Sequence, residues 1–245
     1  MGRGPSIEGR KNVEDSKRAK LFTKLIREIT VAARTGGDPA GNPRLRIAMD
    51  KAVGANMSKD TLMRAIRRGT GEEGADQMQE IRYEGYGPGG VAIMVDCMTD
   101  NPTRTVAEVR HAFSKHGGNM GTSGSVSFQF SKCGVLTFDI AGQPQLEERI
   151  LEAALESGAD DVQSRDGYCE VLTSAENFES VQKALTGAGL QALQADVVMR
   201  PSVRAAVGED VADSLQKLLE RMEELDDVQE VYHNADLSRP ASDAA

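Results

Sequence analysis

The strongest chemical signal in the sequence is a set of five cations between positions 17 and 34. Lys17, Lys20, Lys24, Arg27 and Arg34 recur at spacings of 3, 4, 3 and 7 residues. At about 100° per residue, a helix gathers them into roughly one quadrant. Leu21, Phe22, Leu25, Ile26 and Ile29 fall on the other side. A solvated helix surface normally mixes signs, because opposite charges at i,i+4 stabilise it. This face has almost no acids, since Asp15 and Glu28 lie off it. A row of ammonium and guanidinium groups suits phosphate oxygens. Such contacts supply affinity and salt dependence but no sequence readout. Arg10, Lys11 and Arg18 extend the segment, Arg44 and Arg46 open a second helix, and a third carries Lys59, Arg64, Arg67 and Arg68. Together these residues form the candidate nucleic-acid-binding set, and the alternative is a plain solubilising surface.

Other motifs carry less chemistry. Gly85, Gly87 and Gly90 satisfy G-x-G-x-x-G, but a strand follows where a dinucleotide site needs a helix, and Pro88 removes an amide donor. The stretch reads as a hairpin turn. In Thr99-Asp100-Asn101-Pro102-Thr103-Arg104-Thr105, Asp100 or Asn101 caps a helix and Pro102 suits its first turn. Arg104 in that turn opposes the helix dipole, which suggests another duty. Arg104, Arg110 and Lys115 make a secondary basic patch; His111 and His116 read as surface residues without metal spacing. Gly117 to Ser125 reads as a helix stop and loop. There is no nucleophile elbow, no H-E-x-x-H and no P-loop, so a non-enzyme with no metal and no cofactor is expected. Cys97, Cys133 and Cys169 are scattered, with no C-x-x-C, and read as structural thiols in strands.

These residues need elements to hold them. A helix from Asp15 or Ser16 to about Thr35 stops at Gly36-Gly37; a second runs from Asn42-Pro43 to about Ala55; Ser58 caps a third, ended by Gly69. Polar residues 70–79 read as a linker. Strands are expected at 80–84, 91–98, 125–130, 134–140, 161–164, 168–173, 192–199 and 228–233. Helices are expected at 103–116, 145–157, 176–186 and 209–225. The block 133–200 has the β-α-β-β-α-β order of a ferredoxin-like unit. The strand 228–233 cannot stand alone and needs the sheet begun at 80. The expected fold is α+β and multidomain: an N-terminal three-helix bundle, then two ferredoxin-like α/β domains, one inserted in the other. The boundaries are 1–72 for the basic helical domain, 79–131 plus 203–237 for the discontinuous one, 132–202 for the insert, and 238–245 for a flexible tail.

Charge sharpens this division. The 245 residues have a net charge of −9, but residues 1–71 hold 16 Lys+Arg against 7 Asp+Glu, and the rest hold 13 against 31. A balance of +9 therefore sits ahead of one of −18. A uniformly basic coat for DNA is excluded, whereas a basic end on an acidic body points to a polyanion met at one end. Aromatics make up 4% and Trp is absent, which disfavours a base-stacking platform. No window approaches the roughly 18 apolar residues of a membrane span, and the start lacks the apolar run of a signal peptide. A cytoplasmic protein without membrane partners is expected. Ile7-Glu8-Gly9-Arg10 also spells a protease site, although the chain reads on as a native start.

Long stretches resemble the YebC/PmpR family, which includes the mitochondrial translational activator of cytochrome oxidase. They are F-T-K-L-I-R-E-I-T-V-A-A-R (22–34), N-P-R-L-R (42–46), N-M-S-K-D (56–60), R-A-I-R-R-G-T-G (64–71), E-I-R-Y-E-G-Y-G-P-G-G-V-A (80–92), T-D-N-P-T-R-T-V-A-E-V-R-H-A-F-S-K (99–115), G-G-N-M-G-T-S-G-S-V (117–126) and D-D-V-Q-E-V-Y-H-N-A-D (226–236). Many members begin with a basic G-H-S-K-W-x-x-I-K-x-R-K segment. Residues 2–11 lack its Trp, His and early Lys and offer Arg3, Arg10 and Lys11 instead. The resemblance implies a helical domain followed by two α/β domains and a cytoplasmic non-enzyme acting in gene expression. The leading expectation is a DNA-binding transcriptional regulator. The alternative is a translation factor at the ribosome or ribosomal RNA, helping synthesis of proline-rich stretches. A third reading, from the residues alone, is a small-molecule sensor using the ferredoxin-like domain. Sequence leaves the oligomeric state open, with a monomer favoured.

Overall fold

A computed structural model describes residues 7–72, 74 and 77–240; the side chains of 7–16 and 237–240 lie outside the described residues. Three helices come first: α1 (Ile7–Ala33), α2 (Pro43–Gly54) and α3 (Lys59–Thr70). Their apolar stripes meet in one cluster that includes Leu25, Ile29, Ala32, Leu45, Ala48, Ala52, Leu62, Ala65 and Ile66. Ile29 and Leu45 are wholly buried, and such a side chain stabilises a fold by about 1.5–3 kcal/mol. Among the described residues, every member of the cluster and every partly buried apolar residue packed on it comes from residues 22–66.

Asn42 joins α1 to α2. Its Oδ1 accepts from the Leu45 amide, capping α2 ahead of Pro43, while Nδ2 lies 2.7 Å from the Ala32 carbonyl and 2.8 Å from that of Gly36. Ser58 caps α3 by accepting from the Thr61 amide. Two boundaries differ from the sequence expectation. The first helix begins at Ile7, not at Asp15 or Ser16. Those residues cap only where the chain ahead leaves the helix, and residues 10–14 hold no Pro or Gly to force that. The third helix runs through Gly69, and Gly71, in the left-handed region at φ 85°, caps it instead. Gly69 has a different reason. A Cβ there would stand 2.2 Å from the Thr30 carbonyl oxygen of α1, so only glycine permits this approach of the two helices.

Two four-stranded sheets follow. The first takes β1 (Gln79–Tyr86), β2 (Ala92–Thr99), β3 (Asn119–Met120) and β9 (Val228–His233), in the order β3-β1-β2-β9, with α4 (Pro102–Lys115) after β2 and α7 (Glu209–Glu224) before β9. The strand at 228–233 thus lies beside β2, and all of β2 but Asp96 is buried. The second sheet takes β4 (Phe130–Asp139), β5 (Asp161–Arg165), β6 (Tyr168–Ser174) and β7 (Gln194–Pro201), ordered β5-β6-β4-β7 and antiparallel throughout. With α5 (Pro144–Ser157) and α6 (Phe178–Gly187) between strands, this is the ferredoxin-like unit. It is inserted in the chain between β3 and the return through α7 and β9.

Further differences concern short elements. The strand expected at 125–130 is a 3₁₀ turn at Ser127–Gln129, and Phe130 begins one ten-residue strand, β4. The Gly-rich loop contains β3, whose Asn119 and Met120 pair with Tyr86 and Gly85. No alternation marks a two-residue strand, so sequence pattern misses it. The parallel pair β8 (Ala205–Val207) and β10 (Ala235–Pro240) has no counterpart in the sequence expectation, and β10 takes in the first residues of the supposed tail.

The described chain divides into two compact units. Of the described residues, one unit holds the helical bundle, most of the first sheet with α4, and most of α7 with the start of β9 (from 7 to 88, 94–122 and 213–231); the other holds 89–93, 123–212 and 232–240.

Candidate nucleic-acid interface

The five-cation face of α1 is real but does not act as one surface. Lys17 and Arg18 are exposed near its start, with the Arg18 guanidinium 5.2 Å from the centre of the Phe22 ring. Further along, the face meets the turn between α7 and β9. Lys20 Nζ donates to the Glu224 carbonyl at 2.9 Å and Lys24 Nζ to the Gln229 carbonyl at 3.4 Å. Arg27 Nη1 donates to the Asp226 and Met98 carbonyls, and its Nη2 lies 3.4 Å from Asp227 Oδ1. Arg34 is exposed beyond these contacts. The Arg10 and Lys11 side chains lie outside the described residues.

In α2, Arg44 bonds Glu28 of α1 at 2.9 Å and Glu80 of β1 through both guanidinium nitrogens. The bonds to Glu80 raise its pKa; burial opposes them, and Glu28 adds to the rise. Arg46 Nη1 donates to the Pro39 carbonyl and so closes the α1–α2 loop. The outer face of α3 is different. Arg64 and Arg68 are exposed opposite the buried Leu62, Ala65 and Ile66, Arg67 is half-buried, and Lys59 is exposed at the helix start. Arg64 and Arg68 are one helical turn apart and present their charge outward.

The secondary patch divides as well. Arg110 and Lys115 are exposed on α4, beside exposed His111 and half-buried His116. Arg104 is part of another arrangement. Its Nη2 donates to Asp227 Oδ2 at 2.8 Å and to Asp100 Oδ1 at 3.2 Å. This accounts for a guanidinium in a first helical turn, against the dipole. Asn101, not Asp100, caps α4 by accepting from the Arg104 amide.

Asp227 is the centre of this region, and no sequence pattern singles it out. It is 2% exposed, and its Oδ2 accepts from Thr99 Oγ1 at 3.1 Å, Thr105 Oγ1 at 2.8 Å and the Arg104 guanidinium. Burial alone would raise the carboxyl pKa; hydrogen bonds from Arg104, Thr105 and Thr99 and the Arg104 charge reverse this and hold it below the usual range. The signal in the sequence is Arg104 itself, since a cation at a helix start calls for a carboxylate. A cavity of about 540 Å³ opens here, lined by Arg27, Arg104 and Arg221 and by Asp100, Glu108 and Asp227 among others. Such a mixed, polar lining suits water and exchangeable ion pairs rather than an apolar ligand.

Among the described residues, no group of three or more His, Cys, Asp or Glu is placed to hold a metal ion. The three cysteines are free, and burial pushes the Cys97 thiol up to about 12 and raises those of Cys133 and Cys169. No described helix is long and apolar enough to cross a membrane.

Residues 4–72 match the family model described as the TACO1/YebC protein N-terminal domain, and residues 78–235 match that of the TACO1/YebC second and third domain. The chain belongs to the TACO1/YebC family. A probable transcriptional regulatory protein of Xanthomonas oryzae pv. oryzae is 58% identical over 239 residues, covering 96% of this chain and 98% of that one. Another, of Stenotrophomonas maltophilia, is 56% identical over 98% of this chain and 99% of its own. A TACO1/YebC-like fold is also solved: a conserved hypothetical protein from Aquifex aeolicus has a TM-score of 0.82 and 43% identity, over 93% of this chain and 94% of that one.

Proposed function

We propose that this protein is a cytoplasmic, non-enzymatic regulator of gene expression that binds nucleic acid through phosphate contacts of its helical bundle. The observation that carries the reading is the outer face of α3, where Arg64 and Arg68 are exposed on the side opposite its buried residues, with Lys59 exposed at the helix start. Phosphate attraction of this kind is non-specific and strongly salt-dependent. Two relatives more than half identical over nearly the whole chain bear the description probable transcriptional regulatory protein, which supports duplex DNA as the first target. Ribosomal RNA presents the same phosphates, so a role in translation is the second reading. The sensor reading has less support: the cavity on the ferredoxin-like segment, beside Arg149 and Leu190, is about 170 Å³, below the usual size of a ligand pocket.

The test compares binding to promoter duplex, random duplex and purified ribosomes over a salt series. Arg64→Glu/Arg68→Glu is expected to weaken binding and to reduce the log–log salt slope by about 2, since each neutralised phosphate contributes roughly 0.9 to it. An unchanged slope sinks the α3 reading. Preference for one promoter over ribosomes supports transcription, and the reverse supports translation.

A further inference from the structure

The inner cations of α1 are already occupied, and by acceptors that a nucleic acid could replace. Lys20 and Lys24 hold the carbonyls of Glu224 and Gln229, and Arg27 holds the Asp226 carbonyl and faces the Asp227 carboxylate. Arg44 adds its bonds to Glu80. Across this seam the bundle supplies these cations and the sheet side their acceptors, while Gln229 Nε2 donates in the other direction to the Lys24 carbonyl. The charge division of +9 against −18 is therefore used inside the molecule.

We propose that Lys20, Lys24 and Arg27 form a phosphate-displaceable latch: they hold the α7–β9 turn in the unliganded chain and exchange it for phosphates when nucleic acid binds. The inference rests on the nucleic-acid reading above and adds a regulatory step to it. Three features make the seam separable. First, among the described residues the bundle core draws on 22–66 alone, so it stays closed if the helices leave the sheet. Second, these three cations hold the turn only by hydrogen bonds and an ion pair; Lys20 is exposed, Lys24 and Arg27 are half-buried, and Arg27 lines the polar cavity, so water and salt weaken these contacts. Third, Asp227 does not depend on Arg27. Its Oδ2 keeps Arg104, Thr99 and Thr105, while Oδ1 has no hydrogen bond even with Arg27 in place. Releasing Arg27 therefore strands no buried carboxylate, which is the usual large cost of breaking such a pair. The closed and bound states also exclude each other. Glu224, Asp226 and Asp227 crowd the same turn, and a phosphate cannot approach Arg27 past them without repulsion.

The experiment uses the full chain, with a random-sequence DNA duplex and an RNA hairpin as probes. Asp227→Asn weakens the hold on Arg27 and keeps an acceptor for Thr99, Thr105 and Arg104. It is expected to bind about ten-fold tighter than the wild type, within the usual range of coupling between sites, with a similar salt slope because both complexes make the same phosphate contacts. In a second variant, Lys20→Cys/Glu224→Cys on a Cys133→Ser background, a short bis-maleimide bridge pins the latch shut. The bridged chain is expected to bind at least ten-fold more weakly than the same chain unbridged. Should Asp227→Asn fail to fold, the bridged pair decides alone. Equal affinity with and without the bridge overturns the latch. The nucleic-acid reading then still stands if the wild type binds and Arg64→Glu/Arg68→Glu weakens it. No binding by any variant overturns both.

Discussion

The Arg104 guanidinium donates twice to one oxygen of Asp227, from Nε at 3.2 Å and from Nη2 at 2.8 Å. The pair ties the start of α4 to the turn before β9, so its protonation state enters the stability of the fold. Asp227 has its pKa lowered in the folded chain, against the pull of its own burial. Its contribution is therefore fully present above the ordinary carboxyl value of about 3.9 and is lost as pH falls through the lower folded value. The urea midpoint of the wild type is expected to fall more steeply than that of Asp227→Asn below about pH 4. Parallel curves would contradict the ionised pair.

His233 acts in a higher window. Burial lowers its pKa, the Arg204 charge adds to this, and Nδ1 is buried without a hydrogen-bond partner. The fold thus favours the neutral ring. Stability linked to it is present above the ordinary value of about 6.5 and is lost as pH falls through the depressed one. Replacing it as His233→Gln is expected to flatten the stability curve just below pH 6.5, and NMR of the wild-type imidazole to give a midpoint below that value. A midpoint at or above 6.5 refutes the assignment.

The contact of α1 with α3 is set by a missing side chain. Gly69→Ala would place a methyl 2.2 Å from the Thr30 carbonyl oxygen and 2.7 Å from Ala33 Cβ. Overpacking of this kind costs about 1–3 kcal/mol, seen as a lowered Tm. Gly54→Ala is the control. Nothing lies within 4 Å of its added Cβ, so the gain in helix propensity, about 0.5–1 kcal/mol, is expected to raise Tm.

Asn42 does two jobs that one substitution can separate. Its Oδ1 caps α2 and its Nδ2 serves the Ala32 and Gly36 carbonyls at the end of α1. Removing both in Asn42→Ala is expected to cost about 2–4 kcal/mol in denaturant unfolding. Asn42→Ser restores the cap alone and is expected to recover about 1 kcal/mol. Equal values for the two variants would show that the cap contributes nothing.

The sequence alone determined the presence of the helices, the ferredoxin-like order of 133–200 and the presence of a cationic stripe, because each is a local or periodic property. Asn42, Ser58 and Asn101 announce helix starts by residue type, and α1 shows its two faces at helical spacing. Tertiary structure decided what the stripe meets. Spacing placed Lys20, Lys24 and Arg27 on one face with Lys17 and Arg34, but their partners lie about 200 residues away, in the turn at 224–229. The same holds for Asp227, whose neighbours Thr99, Arg104 and Thr105 come from another part of the chain. Periodicity reports which way a side chain points along its own element; charge is satisfied by whatever the fold brings opposite, and only the folded chain specifies that.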